Sequence, residues 1–184
     1  TKKTYNWLFP NGFIEVPIGP GWTGRAWWTL DMMAIQRAAE RGEHRDMSHD
    51  TPAGLAKAVD NAMEMIRQMK VPWNQIILGG FSQGAMLATE LYLRAPETPK
   101  GLVIMSGTLL HQEEWKKLLP TRAGQRFFQS HGTHDPILGY KQAEQLNTLL
   151  TQNGMKGSLA GFQGGHEIPP AVLTKIGAYI DSLT

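Results

Sequence analysis

The 184-residue chain contains no cysteine. That excludes disulfides, thiolate metal sites and a cysteine nucleophile, and it leans toward a cytoplasmic location. No apolar run approaches the roughly 18 residues that a membrane span requires, so no integral membrane segment is expected. The opening residues, Thr1-Lys2-Lys3-Thr4-Tyr5-Asn6, lack the apolar stretch of a signal peptide. Net charge is also scarce. Lys and Arg number 18 against 16 Asp and Glu, a formal +2, and no basic run is longer than the pairs Lys2-Lys3 and Lys116-Lys117. Neither a nucleic-acid-binding face nor a polybasic membrane patch is indicated. Repeats, linkers and low-complexity segments are missing too. What is present is 41% hydrophobic and 18% charged residues in a chain long enough to bury a substantial core. The expectation is one globular domain over residues 1–184.

Apolar runs alternate with helical patterns along that domain. Residues 5–9 read as a short strand closed by Pro10-Asn11-Gly12. The glycines and prolines between Pro17 and Arg25 read as an irregular loop carrying Trp22, Trp27 and Trp28, and residues 41–50 as a second, polar loop. Thr51 is a good N-cap with Pro52 at the first helical position, and Leu55, Val59, Ala62, Met63, Ile66 and Met69 share one helical face. Further strands are expected at 75–79, 101–105, 125–130 and 157–160. Helices fall at 83–95, 112–119, after Pro136 with Ala143, Leu146, Leu149 and Leu150 inward, and from Pro169-Pro170 with Val172, Leu173, Ile176 and Ile180 inward. The pattern implies an α/β fold with a mostly parallel sheet and helices on both faces.

Gly80-Phe81-Ser82-Gln83-Gly84 falls directly between an expected strand and an expected helix. Strand–GxSxG–helix is the order of a serine nucleophile elbow. A serine at the tip of so tight a turn has strained dihedrals, and side chains at Gly80 and Gly84 would collide as strand and helix converge. The turn also sets Ser82 at a helix N-terminus, where N–H groups and the dipole favour a developing oxyanion.

A serine hydroxyl is a poor nucleophile without a base, and the base needs an orienting carboxylate. In a parallel sheet the loops after the strand C-termini converge on one edge. Asp135 follows the fourth expected strand and His166 the fifth, giving the order Ser82, Asp135, His166. Each has a plainer reading: Asp135 before Pro136 can cap a helix, and His166 after two glycines can be a turn residue. Glu167 reads as solvated. His131, His134 and Asp135 form H-x-x-H-D, but no matching ligand set accompanies them, and no metal site is expected. His44, Asp46, His49 and Asp50 read as a solvated loop.

The chain resembles the carboxylesterase/phospholipase/acyl-protein thioesterase family of α/β-hydrolases. The resemblance rests on G-F-S-Q-G at Gly80 to Gly84, H-G-x-x-D-P at His131 to Pro136, and G-H-E-I at Gly165 to Ile168. Arg25-Ala26-Trp27-Trp28 and Ile76-Ile77-Leu78-Gly79 look like further segments of the family. The resemblance implies an α/β-hydrolase fold with Ser82 as nucleophile, Asp135 as orienting acid, His166 as general base and the backbone N–H of Gln83 as an oxyanion donor. It implies no cofactor. Family members also begin with further strands and an H-G-x-G-type loop that supplies a second oxyanion donor, and no such motif precedes Tyr5. The expectation is therefore an N-terminally shortened fold, with an upstream segment whose strand pairs with residues 75–79.

The favoured function is hydrolysis of carboxylic esters or thioesters with small to medium acyl chains through an acyl-enzyme on Ser82. The partner is a small-molecule ester or acyl substrate, with no nucleic acid and with room for a homodimer. Trp28, Met86, Leu109, Leu110, Pro136 and Ile137 flank the loops at the strand ends and are the candidate walls of an apolar substrate pocket, although each reads equally well as core. The alternative is a catalytically impaired acyl-binding protein or enzyme fragment, motivated by the lacking oxyanion loop. Lactone-opening chemistry of the dienelactone hydrolase type is disfavoured, because those enzymes use a cysteine.

Overall fold

The computed structural model describes residues 1–183. Four parallel strands form the central sheet: β3 (Ile77–Phe81), β4 (Gly101–Met105), β5 (Phe127–Gly132) and β6 (Leu159–Phe162), in the order β3-β4-β5-β6. A separate antiparallel hairpin, β1 (Ile14–Gly19) and β2 (Trp22–Ala26), precedes them. The helices are α1 (Met32–Glu40), α2 (Leu55–Gln68), α3 (Gln83–Arg94), α4 (Gln112–Leu118), α5 (Tyr140–Gln152) and α6 (Pro170–Asp181). None of the described helices is long and apolar enough to cross a membrane.

The unbroken apolar run of β4 is explained by its position between two cores. Leu102 and Ile104 enter the larger one, built with α2, α3 and α5, while Val103 meets Val172, Ile176 and Ile180 of α6 on the other face. Period-two alternation thus splits one strand between two helical layers. Leu173, expected inward on α6, is 56% exposed; the helix buries Val172, Ile176, Tyr179 and Ile180 instead.

Five strands were expected in the sheet and four are found there. Residues 5–9 form no strand. Their alternate aromatic side chains contact one another instead: Tyr5 meets Trp7 edge-on, Trp7 stacks on Phe9, and the Tyr5 hydroxyl donates to the carbonyl of Ile180. Without a neighbouring ladder, aromatic β-propensity has nothing to act on. Among the described residues, β4 is the one strand that pairs with β3, which is an edge of the sheet.

The supposed loop over residues 17–25 belongs to the β1–β2 hairpin. Pro20 and Gly21 make its turn, with Gly21 at φ +74°, the left-handed conformation a glycine after proline supplies. Register shifts between Pro17 and Gly19, a local irregularity of the kind that tolerates proline in a strand. Helix α1 has no counterpart among the expected elements. Asp31 caps it by accepting a hydrogen bond from the N–H of Ala34 at 2.9 Å. Helix α2 begins at Leu55 rather than beside Thr51, because residues 52–55 make a turn (Leu55 N–H to the Pro52 carbonyl, 3.1 Å) and Gly54 precedes the helix at φ +93°. The elbow strand and the strands near 125–130 and 157–160 each begin two residues later than expected; Trp73–Gln75 is a 3-10 turn.

Candidate active site

Strand β3 ends at Phe81, helix α3 starts at Gln83, and Ser82 alone makes the connection, at φ +55° and ψ −123°. A non-glycine residue there costs on the order of 1–3 kcal/mol and persists only where its surroundings enforce it. The enforcement is visible. The N–H of Ser82 donates to the carbonyl of Met105 on β4 at 2.9 Å, and its carbonyl accepts from Ala85 and Met86. A Cβ on Gly80 would collide with the backbone of Gly84 and Ala85, so this glycine is a steric necessity. Gly84 is not. A Cβ there would meet only Nε1 of Trp27, at 3.8 Å, so the expected collision is confined to Gly80. Gln83 is the first residue of α3, and its N–H has no helical acceptor.

Asp135 and His166 come together across 31 positions of sequence. Nδ1 of His166 lies 2.6 Å from Oδ2 of Asp135. The two loops are laced: Thr133 N–H donates to the carbonyl of Phe162 and His134 N–H to that of Gly164. Gly132, in the H-G-x-x-D-P segment, lets them close, because a Cβ would strike the carbonyls of Gly164 and Gly165. The ring of His166 rests against that of Phe81, 4.6 Å between centroids, which sets the imidazole beside the residue preceding Ser82. Glu167 does not enter this constellation; its carboxylate accepts from the N–H of Gly165 at 3.2 Å.

Asp135 is almost fully buried. Burial pushes its carboxyl up, but the donors His131 and His166 and the N–H groups of Leu138 and Ile137 outweigh that cost and hold it well below the ordinary carboxylate range. It is therefore ionised at neutral pH beside an imidazole. Asp50, read as part of a solvated loop, is paired with Arg45 at 2.7 Å. His44 is not simply solvated: its Nε2 lies 2.8 Å from the main-chain oxygen of Asp135. Asp46 accepts from the N–H of Ser48, and His49 lines a 190 Å³ cleft that holds none of Ser82, Asp135 and His166. Among the described residues, no group of three or more His, Asp or Glu is arranged to hold a metal ion.

The family described as phospholipase/carboxylesterase matches residues 1–184. The chain belongs to that family. It is similar to acyl-protein thioesterase 1 of Candida albicans, 29% identical over 160 residues that cover 82% of this chain and 65% of the relative. A second relative, acyl-protein thioesterase 1 of Neurospora crassa, is 26% identical over 177 residues, 92% of this chain and 69% of the relative. The chain thus spans about two thirds of the length of these curated relatives. Among solved structures it resembles SOBER1 of Arabidopsis thaliana, with a TM-score of 0.72 at 23% identity over 96% of this chain and 83% of that one. It also resembles esterase PE8, with a TM-score of 0.71 at 25% identity over 88% and 71%. These likenesses establish the α/β-hydrolase fold.

The six candidate wall residues separate by burial. Trp28, Met86, Leu109 and Leu110 lie in the core, whereas Pro136 and Ile137 are exposed directly after Asp135. Sequence reasoning passed over Trp27, which is half-buried beside Gly84 and meets Phe13 edge-on at 5.3 Å. It also passed over the side chain of Gln83. That amide accepts from the N–H of Trp27 and donates to the carbonyl of Trp28, both at 2.8 Å, pinning the end of the hairpin segment to the elbow. A glutamine in the motif signalled only its main-chain N–H; a side-chain contact spanning 55 positions leaves no local trace.

Proposed function

We propose that this phospholipase/carboxylesterase-family chain is a serine hydrolase acting on carboxylic esters or thioesters of small to medium acyl chains. The observation that carries the reading is the 2.6 Å contact between His166 and an ionised, buried Asp135, on the same sheet edge as a serine held at positive φ. In the proposed mechanism, Nδ1–H of His166 donates to Asp135, which leaves Nε2 unprotonated to serve as the base. Nε2 takes the Ser82 proton as Oγ attacks the acyl carbonyl. The resulting oxyanion is stabilised by the N–H of Gln83 and the positive end of α3. Collapse of this intermediate expels the alcohol or thiol, which receives the proton from His166. Water then repeats the sequence on the acyl-Ser82 ester and releases the carboxylic acid.

Pro136 and Ile137 on the acid loop and Trp27 beside the elbow are the proposed contacts for the acyl chain; Trp28, Met86, Leu109 and Leu110 would support them from the core. The test is hydrolysis of matched oxygen-ester and thioester series from acetyl to dodecanoyl, with mass spectrometry for an acyl adduct on Ser82 at early times. Turnover that peaks at short to medium chains with a Ser82 adduct supports the reading. Binding of acyl ligands without turnover or adduct favours the impaired acyl-binding alternative.

A further inference from the structure

We propose that His131 is a positioning residue for the acid–base pair, a neutral imidazole that holds the Asp135 oxygen used by His166 and so tunes the base. The proposal rests on the triad reading above. His131 is the penultimate residue of β5 and is completely buried. Its Nε2 lies 2.7 Å from the carbonyl oxygen of Leu138 and 3.3 Å from Oδ2 of Asp135. A carbonyl can only accept, so Nε2 carries the hydrogen and gives it to Leu138, with Oδ2 of Asp135 3.3 Å from the same nitrogen. Nδ1 is buried without a hydrogen-bond partner among the described residues. A second proton there would create an unpaired N–H and a buried cation, and both are costly. The ring is therefore neutral and confined to one tautomer.

The carboxylate it holds is saturated. Oδ1 accepts from the N–H groups of Ile137 and Leu138 at 2.8 and 2.9 Å, and Oδ2 meets His166 at 2.6 Å with Nε2 of His131 3.3 Å away. His131 also grips the Leu138 carbonyl, so a single ring spans both ends of the 135–138 turn. His131 and His166 both lower the Asp135 carboxyl against the cost of its burial. Of the other titratable groups nearby, His44 meets the Asp135 main chain, the Tyr140 ring of α5 lies 6.1 Å from His131, His134 meets the Thr133 hydroxyl and Glu167 accepts from the N–H of Gly165. A donor on Oδ2 draws negative charge away from His166. Removing it leaves Asp135 a stronger acceptor for the imidazole proton, so the base holds its proton to higher pH.

The test compares His131→Gln, His131→Asn and His131→Phe with the unaltered protein, reading kcat/KM for a short-chain ester between pH 5 and 9. Folding is checked by circular dichroism, and labelling of Ser82 by a fluorophosphonate is measured alongside. The glutamine amide can reach the position of Nε2, whereas the shorter asparagine amide reaches only that of Nδ1. His131→Gln is expected to keep rate and profile near those of the unaltered protein. His131→Asn and His131→Phe should lose about tenfold or more in kcat/KM, with the acid limb displaced upward by about half a pH unit or more. A folded asparagine variant with an unmoved acid limb overturns the proposal, whether or not its rate falls, since a purely structural role lowers the rate alone. If Ser82 of the unaltered protein does not label, the triad reading fails and this role fails with it. Normal labelling with an unmoved asparagine profile defeats only the role of His131.

Discussion

The side chain of Gln83 bridges Trp27 and Trp28, taking the N–H of one and giving an N–H to the carbonyl of the other. The proposed oxyanion donor thus also uses its side chain to fix the neighbouring chain. Gln83→Ala leaves a partly buried N–H and carbonyl unpaired, at about 1–3 kcal/mol. The expected result is a folded protein of lower thermal stability, with KM for medium-chain esters raised more than kcat is lowered, because Trp27 loses its anchor. Steady-state kinetics and a melting curve check both parts.

The two motif glycines separate cleanly. Gly80→Ala forces a Cβ into the backbone of Gly84 and Ala85, which cannot move without unseating the elbow. Gly84→Ala meets only the Trp27 indole, at van der Waals distance. The former should abolish activity and destabilise by several kcal/mol, on the order of the largest single-residue effects. The latter should remain folded and stable to within about 1 kcal/mol. Denaturant unfolding of both variants measures the difference.

The contact between Asp135 and His166 was legible in the sequence because the proposed chemistry constrains it. Three residue types in one order, each after an apolar run, leave few other arrangements on a parallel sheet. The β1–β2 hairpin was not legible, because its residues carry no burial pattern: Ile18 and Trp22 are 66% and 73% exposed, so Pro and Gly were the only signals there. Residues 5–9 erred in the opposite direction, with aromatic alternation but no neighbouring strand. Strand β4 matched its expected bounds because both of its faces are covered, whereas β3 was displaced by two residues where Trp73–Gln75 makes a 3-10 turn. The contacts of His44 with Asp135 and of Gln83 with Trp27 and Trp28 depend on tertiary proximity, which no short window of sequence contains.

Stability should depend on acid through Asp135. Its folded-state carboxyl lies below the roughly 3.9 of an unfolded aspartate, so at acid pH the unfolded state binds more protons than the folded one. The stabilisation is fully present above about pH 4 and is lost as pH drops through the folded-state value. Asp135→Asn removes this dependence. Its stability deficit should be greatest near neutrality and should shrink steadily below pH 4, as followed by urea unfolding across that range.

Asp135→Asn should also lower kcat by about ten-thousandfold while leaving the fold intact, since the imidazolium loses its partner and the tautomer changes. Asp50→Asn, which breaks only the pair with Arg45, should change kcat little. A mild effect at Asp135 together with a severe one at Asp50 would reassign the acid.

Fluorophosphonate labelling with peptide mapping tests the central claim most directly, because phosphonylation needs a serine activated by its base. The account predicts a single adduct on Ser82, formed rapidly in the unaltered protein and slowed at least a thousandfold by His166→Ala or Asp135→Asn, with no adduct in Ser82→Ala. An adduct on another serine, or labelling of Ser82 at an undiminished rate without His166, would contradict it.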